Sequence, residues 1–172
     1  MTSRRIVILA ALSLALASVA TADRVESQSS ASPATADTAP FIGAWRLVSF
    51  TSFDADSRAP RPGAYDTGII IYDASGRMTA QLMHSLNRAD RAPATTNDRA
   101  AAYRRYLGYW GPFTVDTATG VVVHHVEGSS NPSLVGSKQV RHFSFAANGA
   151  KLTLSVKSGD RVTSTLVWER LR

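Results

Sequence analysis

The stretch 68-GIIIYDASGRMTAQLMH-84 decides the fold. An apolar run stops at Asp73-Ala74-Ser75-Gly76, and a second run follows in which Met78, Ala80, Leu82 and His84 fall on one face and Thr79, Gln81 and Met83 on the other. Alternation with a period of two is the mark of a strand, whose successive side chains point to opposite sides. Gly76 can take the positive φ that a tight turn between two such strands demands. The stretch therefore predicts an antiparallel β-hairpin.

The same grammar continues on both sides. Upstream, 45-WRLVSFTSF-53 is rich in aromatic and β-branched residues and reads as a strand. Trp45, Leu47, Ser49, Thr51 and Phe53 are expected on one face, with Arg46, Val48, Phe50 and Ser52 on the other. A loop with two prolines and a glycine, 54-DADSRAPRPGAYD-66, leads into the hairpin. Downstream, Thr95, Thr96 or Asn97 can cap a helix that runs to about Leu107 and stops at Gly108. Ala102, Tyr103, Tyr106 and Leu107 would be its buried stripe. Strands then resume at 110–116, 121–127, 138–145, 151–156 and 161–170, separated by glycine-bearing turns at 117–120, 146–149 and 157–160. Eight strands with short connections predict an all-β antiparallel meander with one short helix. Closing it into an up-and-down barrel protects its edges. A two-sheet sandwich is the competing arrangement.

The ends of the chain read differently. Arg4 and Arg5 precede the apolar run Ile6 to Ala17, and Ala20-Thr21-Ala22 is a small-x-small cleavage site. This is the pattern of a secretory signal peptide over residues 1–22, too short in its apolar part to span a bilayer. Residues 23–40 are mostly Ser, Ala, Thr and Pro and read as a flexible tether. The folded domain is expected over residues 41–172, and the protein is expected to be periplasmic or secreted, with no stable membrane span once the signal is removed.

Composition narrows the chemistry. There is no cysteine, which removes disulfides, thiolate catalysis and thiolate metal ligands. The net charge of +6 comes mostly from scattered arginines, and Arg99, Arg104 and Arg105 make only a small cluster, so nucleic acid is not an expected partner. Neither G-x-G-x-x-G nor the phosphate loop G-x-x-x-x-G-K-[ST] occurs, nor a G-x-S-x-G elbow, and no cofactor is expected. No metal is expected either. His124 and His125 are neighbours on a strand and point to opposite faces, a poor chelate, with His84 and His142 the only other histidines.

What remains is a lumen. His124, between Val122 and Val126, is the candidate to shuttle a proton, with Tyr72, Tyr106, Tyr109 or Arg141 as oxyanion stabilisers. His124, Arg141 and Tyr109 are thus the catalytic candidates. Satisfied structural hydrogen bonding is the plainer role for His124. His125 and Glu127 share a face and could pair. Arg141 shares a face with Phe143 and Phe145, so it either reaches the rim or awaits an anion. Tyr72, Gln81, Met83, Tyr106, His124, Arg141 and Phe143 are the expected ligand-lining residues.

The pieces 42-IGAWRLVSF-50, 68-GIIIYDASGRMTAQLM-83, 103-YRRYLGYWGPFTVD-116, 124-HHVEGSSNPSLVG-136, 139-QVRHFSF-145 and 165-TLVWER-170 together resemble the bacterial lipocalin-like domain family. They cover almost the whole folded part. Gly43 and Trp45 echo the G-x-W signature of true lipocalins, whose tryptophan packs across the barrel bottom near an arginine of the last strand. Arg170 or Arg161 would fill that place, and Arg170 is preferred because it shares a face with Trp168. The resemblance implies a calyx-like antiparallel barrel without naming a ligand. The leading functional expectation is an exported binding protein for a small, mostly apolar or amphipathic molecule. A cofactor-free isomerase or cyclase in the same cavity, and a filled barrel with a structural or protein-interaction role, are the alternatives. The oligomeric state stays open.

Overall fold

The computed structural model describes residues 36–85 and 95–172. The expected signal peptide, most of the expected tether and the loop around Pro93 lie outside them. Ten strands and one α-helix follow in chain order: β1 Gly43–Phe53, β2 Pro60–Pro62, β3 Thr67–Tyr72, β4 Arg77–Met83, α1 Thr96–Arg104, β5 Tyr106–Asp116, β6 Val121–His125, β7 Gly128–Ser129, β8 Lys138–Ala146, β9 Lys151–Ser158 and β10 Arg161–Arg170. Eight of them, β1, β3, β4, β5, β6, β8, β9 and β10, pair antiparallel with their neighbours in that order. β10 then pairs with β1, Trp45 opposite Arg170 and Leu47 opposite Trp168, and the sheet closes on itself. A closed barrel leaves no free edge along its wall, and the sandwich is excluded. Two short strands are added to it, β2 on the far end of β1 and β7 on β5.

The hairpin forms as its sequence requires. Gly76 has φ +82°, and its N–H donates to Asp73 O at 3.0 Å across the turn. Met78, Ala80 and Leu82 are buried on the inner face of β4. Gln81 is exposed on the outer one.

In β1 the expected alternation holds only to Leu47. A bulge between Leu47 and Ser49 shifts the register, so Phe50 stands opposite Leu166 on the inner side. One extra residue reverses the phase of everything after it. Phe50, assigned from its spacing to the face opposite Trp45, joins the lumen.

The helix also departs from expectation. It has Thr95 as N-cap, with a reciprocal hydrogen-bonded box between Thr95 and Asp98, but it ends at Arg104 and buries no residue. Tyr103 is 55% exposed. Tyr106 and Leu107, expected in its buried stripe, belong to β5, where they pair with Met83 and Leu82. Pairing with the long β4 edge satisfies more backbone groups than a further helical turn in a polar segment would. Among the described residues no helix is long and apolar enough to cross a membrane.

One end of the barrel is plugged by aromatic side chains. Phe41 is fully buried and meets the rings of Tyr72, Phe143 and Phe145 at centroid distances of 5.2, 4.9 and 5.0 Å. Its carbonyl accepts the indole N–H of Trp45 at 2.8 Å. Arg170 lies 4.0 Å from the centroid of the Trp45 ring and donates to Ile42 O and Pro40 O, each at 2.6 Å. Arg170 is therefore the arginine beside the tryptophan, as its shared face with Trp168 implied. These bonds also fasten residues just before Phe41 to the barrel. Thr117 Oγ1 donates to Asp37 at 3.2 Å, so the stretch 36–40, read as the end of a flexible tether, is docked on the plugged end.

Candidate functional site

Three inward side chains from three strands meet in the lumen. Tyr72 ends β3, Tyr109 lies on β5 opposite Ala80, and His124 lies on β6 opposite Phe113. His124 is 1% exposed, the one buried polar or charged residue among those described. Its Nε2 is 2.8 Å from the Tyr72 hydroxyl and its Nδ1 is 3.0 Å from the Tyr109 hydroxyl. Both ring nitrogens are thus occupied.

Electrostatics fix the charge of this triplet. Burial, followed by the nearby charges of Arg141 and His125, pulls the His124 pKa from 6.5 down to about 3. Burial pushes the Tyr72 hydroxyl well above its usual 10 and also raises Tyr109, where the charge of Arg141 and a hydrogen bond from it work in the opposite direction. At neutral pH the imidazole is uncharged and both phenols keep their protons. A neutral imidazole has one N–H and one lone pair in the ring plane, so one phenol donates to it and the other accepts from it. Tyr72 is buried among Phe41, Phe113 and His124. Either tautomer leaves one of the two phenol protons without a partner inside the triplet, and the Tyr109 hydroxyl also accepts from Arg141.

Beside Tyr109 lies a largely enclosed cavity of about 110 Å³. Its wall is mostly apolar, with Ile70, Ala80, Leu82, Leu107, Leu154 and Leu166 contributing, together with Trp168, Tyr109 and Arg141. Phe50 and Tyr65 line both this cavity and an open groove of about 480 Å³ at the mouth, which β2 covers from one side. Their rings are stacked with centroids 6.3 Å apart. A Cβ at Gly63 would overlap the Phe50 ring, so this loop reaches its place over the mouth only with glycine there. The groove is the larger space, but the enclosed cavity adjoins the buried polar groups.

Arg141 comes in from β8 opposite Val122, a buried residue, and so faces inward. Its guanidinium donates to Gln139 Oε1 at 3.2 Å and to Val140 O at 2.9 Å. The ion pairs among the described residues involve Arg46 with Glu169, Arg77 with Glu127, and His84 with Asp66. Arg141 is in none of them.

Of the expected lining residues, the structure brings Tyr72, His124 and Arg141 together, with the catalytic candidate Tyr109 among them. Phe143 is inward too, but packs against Phe41 and Phe145 in the plugged end. Gln81, Met83 and Tyr106 are placed differently from expectation. They line an open outer groove with Ile69 and Leu171, because they alternate with the buried Ala80 and Leu82 or pair with residues that do. His125 and Glu127 do not pair. His125 Nε2 meets Thr114 Oγ1 at 3.0 Å, and Glu127 is bonded to Arg77. Among the described residues no three His, Asp or Glu side chains converge as a metal site. Trp168 and Phe50 were not among the expected lining residues. The period-two run Leu166, Trp168, Arg170 could have pointed to the first, whereas the bulge hid the second.

The closed antiparallel barrel, its plugged end with Trp45 and Arg170, and its small lumen define a calyx of the lipocalin type. The lipocalin-like domain family model matches residues 42–171, and the chain belongs to that family. No curated protein matches the chain. Among solved structures it is similar to a lipocalin-like protein from Bacteroides uniformis, at 9% identity and a TM-score of 0.45 over 77% of this chain and 99% of that one. It is similar also to a redesigned β-barrel, at 12% identity and a TM-score of 0.43 over 82% of this chain and all of that one. A de novo designed fluorescence-activating β-barrel gives 13% identity and a TM-score of 0.41 over 80% and 100% of the two chains.

Proposed function

We propose that this lipocalin-like barrel is an exported binding protein that holds one small, mostly apolar molecule in its lumen. The observation that carries the reading is the enclosed cavity, apolar over most of its wall and bordered by Tyr109 and Arg141. Such a lining, with a few polar groups to fix orientation, is what small-molecule sites have in common. Size limits the occupant. An apolar cavity of about 150 Å³ takes up a benzene molecule. The 110 Å³ here therefore suits roughly four or five non-hydrogen atoms, or the end of a longer molecule whose remainder passes Phe50 and Tyr65 into the groove.

Export rests on the N-terminal pattern of Arg4 and Arg5, the apolar run to Ala17 and the Ala20-Thr21-Ala22 site. The mature protein is then periplasmic or secreted. The intact mass of protein purified from its own host is expected to lack residues 1–22, and retention of those residues contradicts the export reading.

The same lumen weighs against His124 as the base of an isomerase or cyclase. A general base works best with a pKa near the operating pH. His124 lies far below it, and both its nitrogens are already bonded.

The test is calorimetric titration of the mature protein with a panel of small apolar and amphipathic molecules, beside Ala80→Leu, which fills the cavity from its wall. At least one molecule is expected to bind one-to-one, and at least tenfold more weakly to the folded variant. A wild type that binds none of them, with a variant destabilised by overpacking, identifies instead a filled barrel of structural or protein-interaction role.

A further inference from the structure

The cavity is bordered by hydrogen-bond donors without matching acceptors. Trp168 is 1% exposed and lines the cavity, and its indole nitrogen has no hydrogen-bond partner among the described residues. An indole N–H can only donate, and leaving it buried and unmatched costs about 1–3 kcal/mol. Arg141 lines the same cavity. Its bonds to Gln139, Val140 and Tyr109 leave further guanidinium N–H groups, and no described carboxylate neutralises it. Tyr109 borders the cavity as well, its hydroxyl bonded to His124 Nδ1 and accepting from Arg141. Apart from Tyr65 at the mouth, the other cavity residues offer hydrocarbon, as Ile70, Leu154 and Leu166 do.

We infer, resting on the binding reading above, that the cavity is an anion site whose occupant is a short-chain monocarboxylate, its carboxylate held by Arg141 and Trp168 and its chain against the apolar wall. One cation calls for one negative charge. The planar fork of a guanidinium matches a carboxylate in two parallel bonds, and the four lone-pair sites of a carboxylate leave room for the indole donor as well. A phosphate dianion would bring more charge than this lumen offsets. The His124 triplet then has a positioning role: it holds the Tyr109 hydroxyl that accepts from Arg141 at the cavity wall.

Butyrate and its neutral isostere butyramide separate the charge from the shape. In calorimetric titrations of the mature protein, butyrate is expected to bind at least tenfold more tightly than butyramide. Arg141→Met is expected to abolish that preference, and Trp168→Phe to weaken butyrate alone, each variant first shown to be folded by its cooperative thermal transition. Should Trp168→Phe fail to fold, Arg141→Met against wild type decides. Equal affinity for the two probes, or a preference that survives Arg141→Met, overturns the anion site while leaving the lumen-binding reading intact. Binding of neither probe overturns the anion site as well. The apolar panel then decides separately whether the lumen binds at all.

Discussion

His124 shows how one residue fixes both the stability and the chemistry of the lumen. It is buried neutral, with a pKa near 3 against 6.5 for the free side chain. Between these values the unfolded chain binds a proton that the folded chain does not. Stability is therefore complete above about pH 6.5, falls as the pH drops through that window, and levels off below about pH 3. The loss is on the order of a few kcal/mol. Denaturant unfolding of wild type and His124→Gln across this range is expected to show a steeper decline on the acid side in wild type. Parallel curves for the two proteins contradict a buried neutral histidine. This residue was legible in the sequence because β6 is regular. Val122, His124 and Val126 alternate, so an inward Val122 carries His124 with it. Arg141 and Phe143 were legible for the same reason on β8. Gln81 and Met83 were misplaced because both faces of β4 carry apolar side chains, and spacing alone does not say which face is inside.

Between elements, the interior of the barrel is assembled from unequal parts. Helix α1 is well capped yet buries nothing, whereas Phe41 lies outside any strand and is fully buried. Chemical denaturation is expected to separate them. Tyr103→Ala should change stability by no more than about 0.5 kcal/mol, and Phe41→Ala should cost about 3–5 kcal/mol. A large loss in the first variant would restore the packed helix stripe that sequence spacing suggested. The hairpin 68–84 and the strand order could be read from alternation and turns because each depends on local rules. The bulge in β1, the docking of 36–40 and the transfer of Tyr106 to β5 depend on what distant strands offer, which local patterns do not carry. Phe41 gave no periodic signal because it is held by the closed end as a whole.

Across the whole molecule, the barrel has one end sealed by Phe41, Trp45 and Arg170 and a small enclosed cavity bordered by His124's partner Tyr109, Arg141 and Trp168. A lumen sealed at one side and lined by apolar wall and donors fits retention of a small molecule better than surface recognition. The three tryptophans sit in three distinct places and report on them separately. Trp45 donates to Phe41 at the sealed end, Trp110 is half exposed on the outside, and Trp168 borders the cavity. The most direct measurement is therefore the nitrogen–proton correlation spectrum of the three indoles during titration with a small molecule that binds by calorimetry. Occupation of the lumen is expected to move the Trp168 indole resonance progressively and saturably while Trp110 stays in place. A saturating shift confined to Trp110, with Trp168 unmoved, would place binding on the outer wall and contradict a ligand held in the lumen.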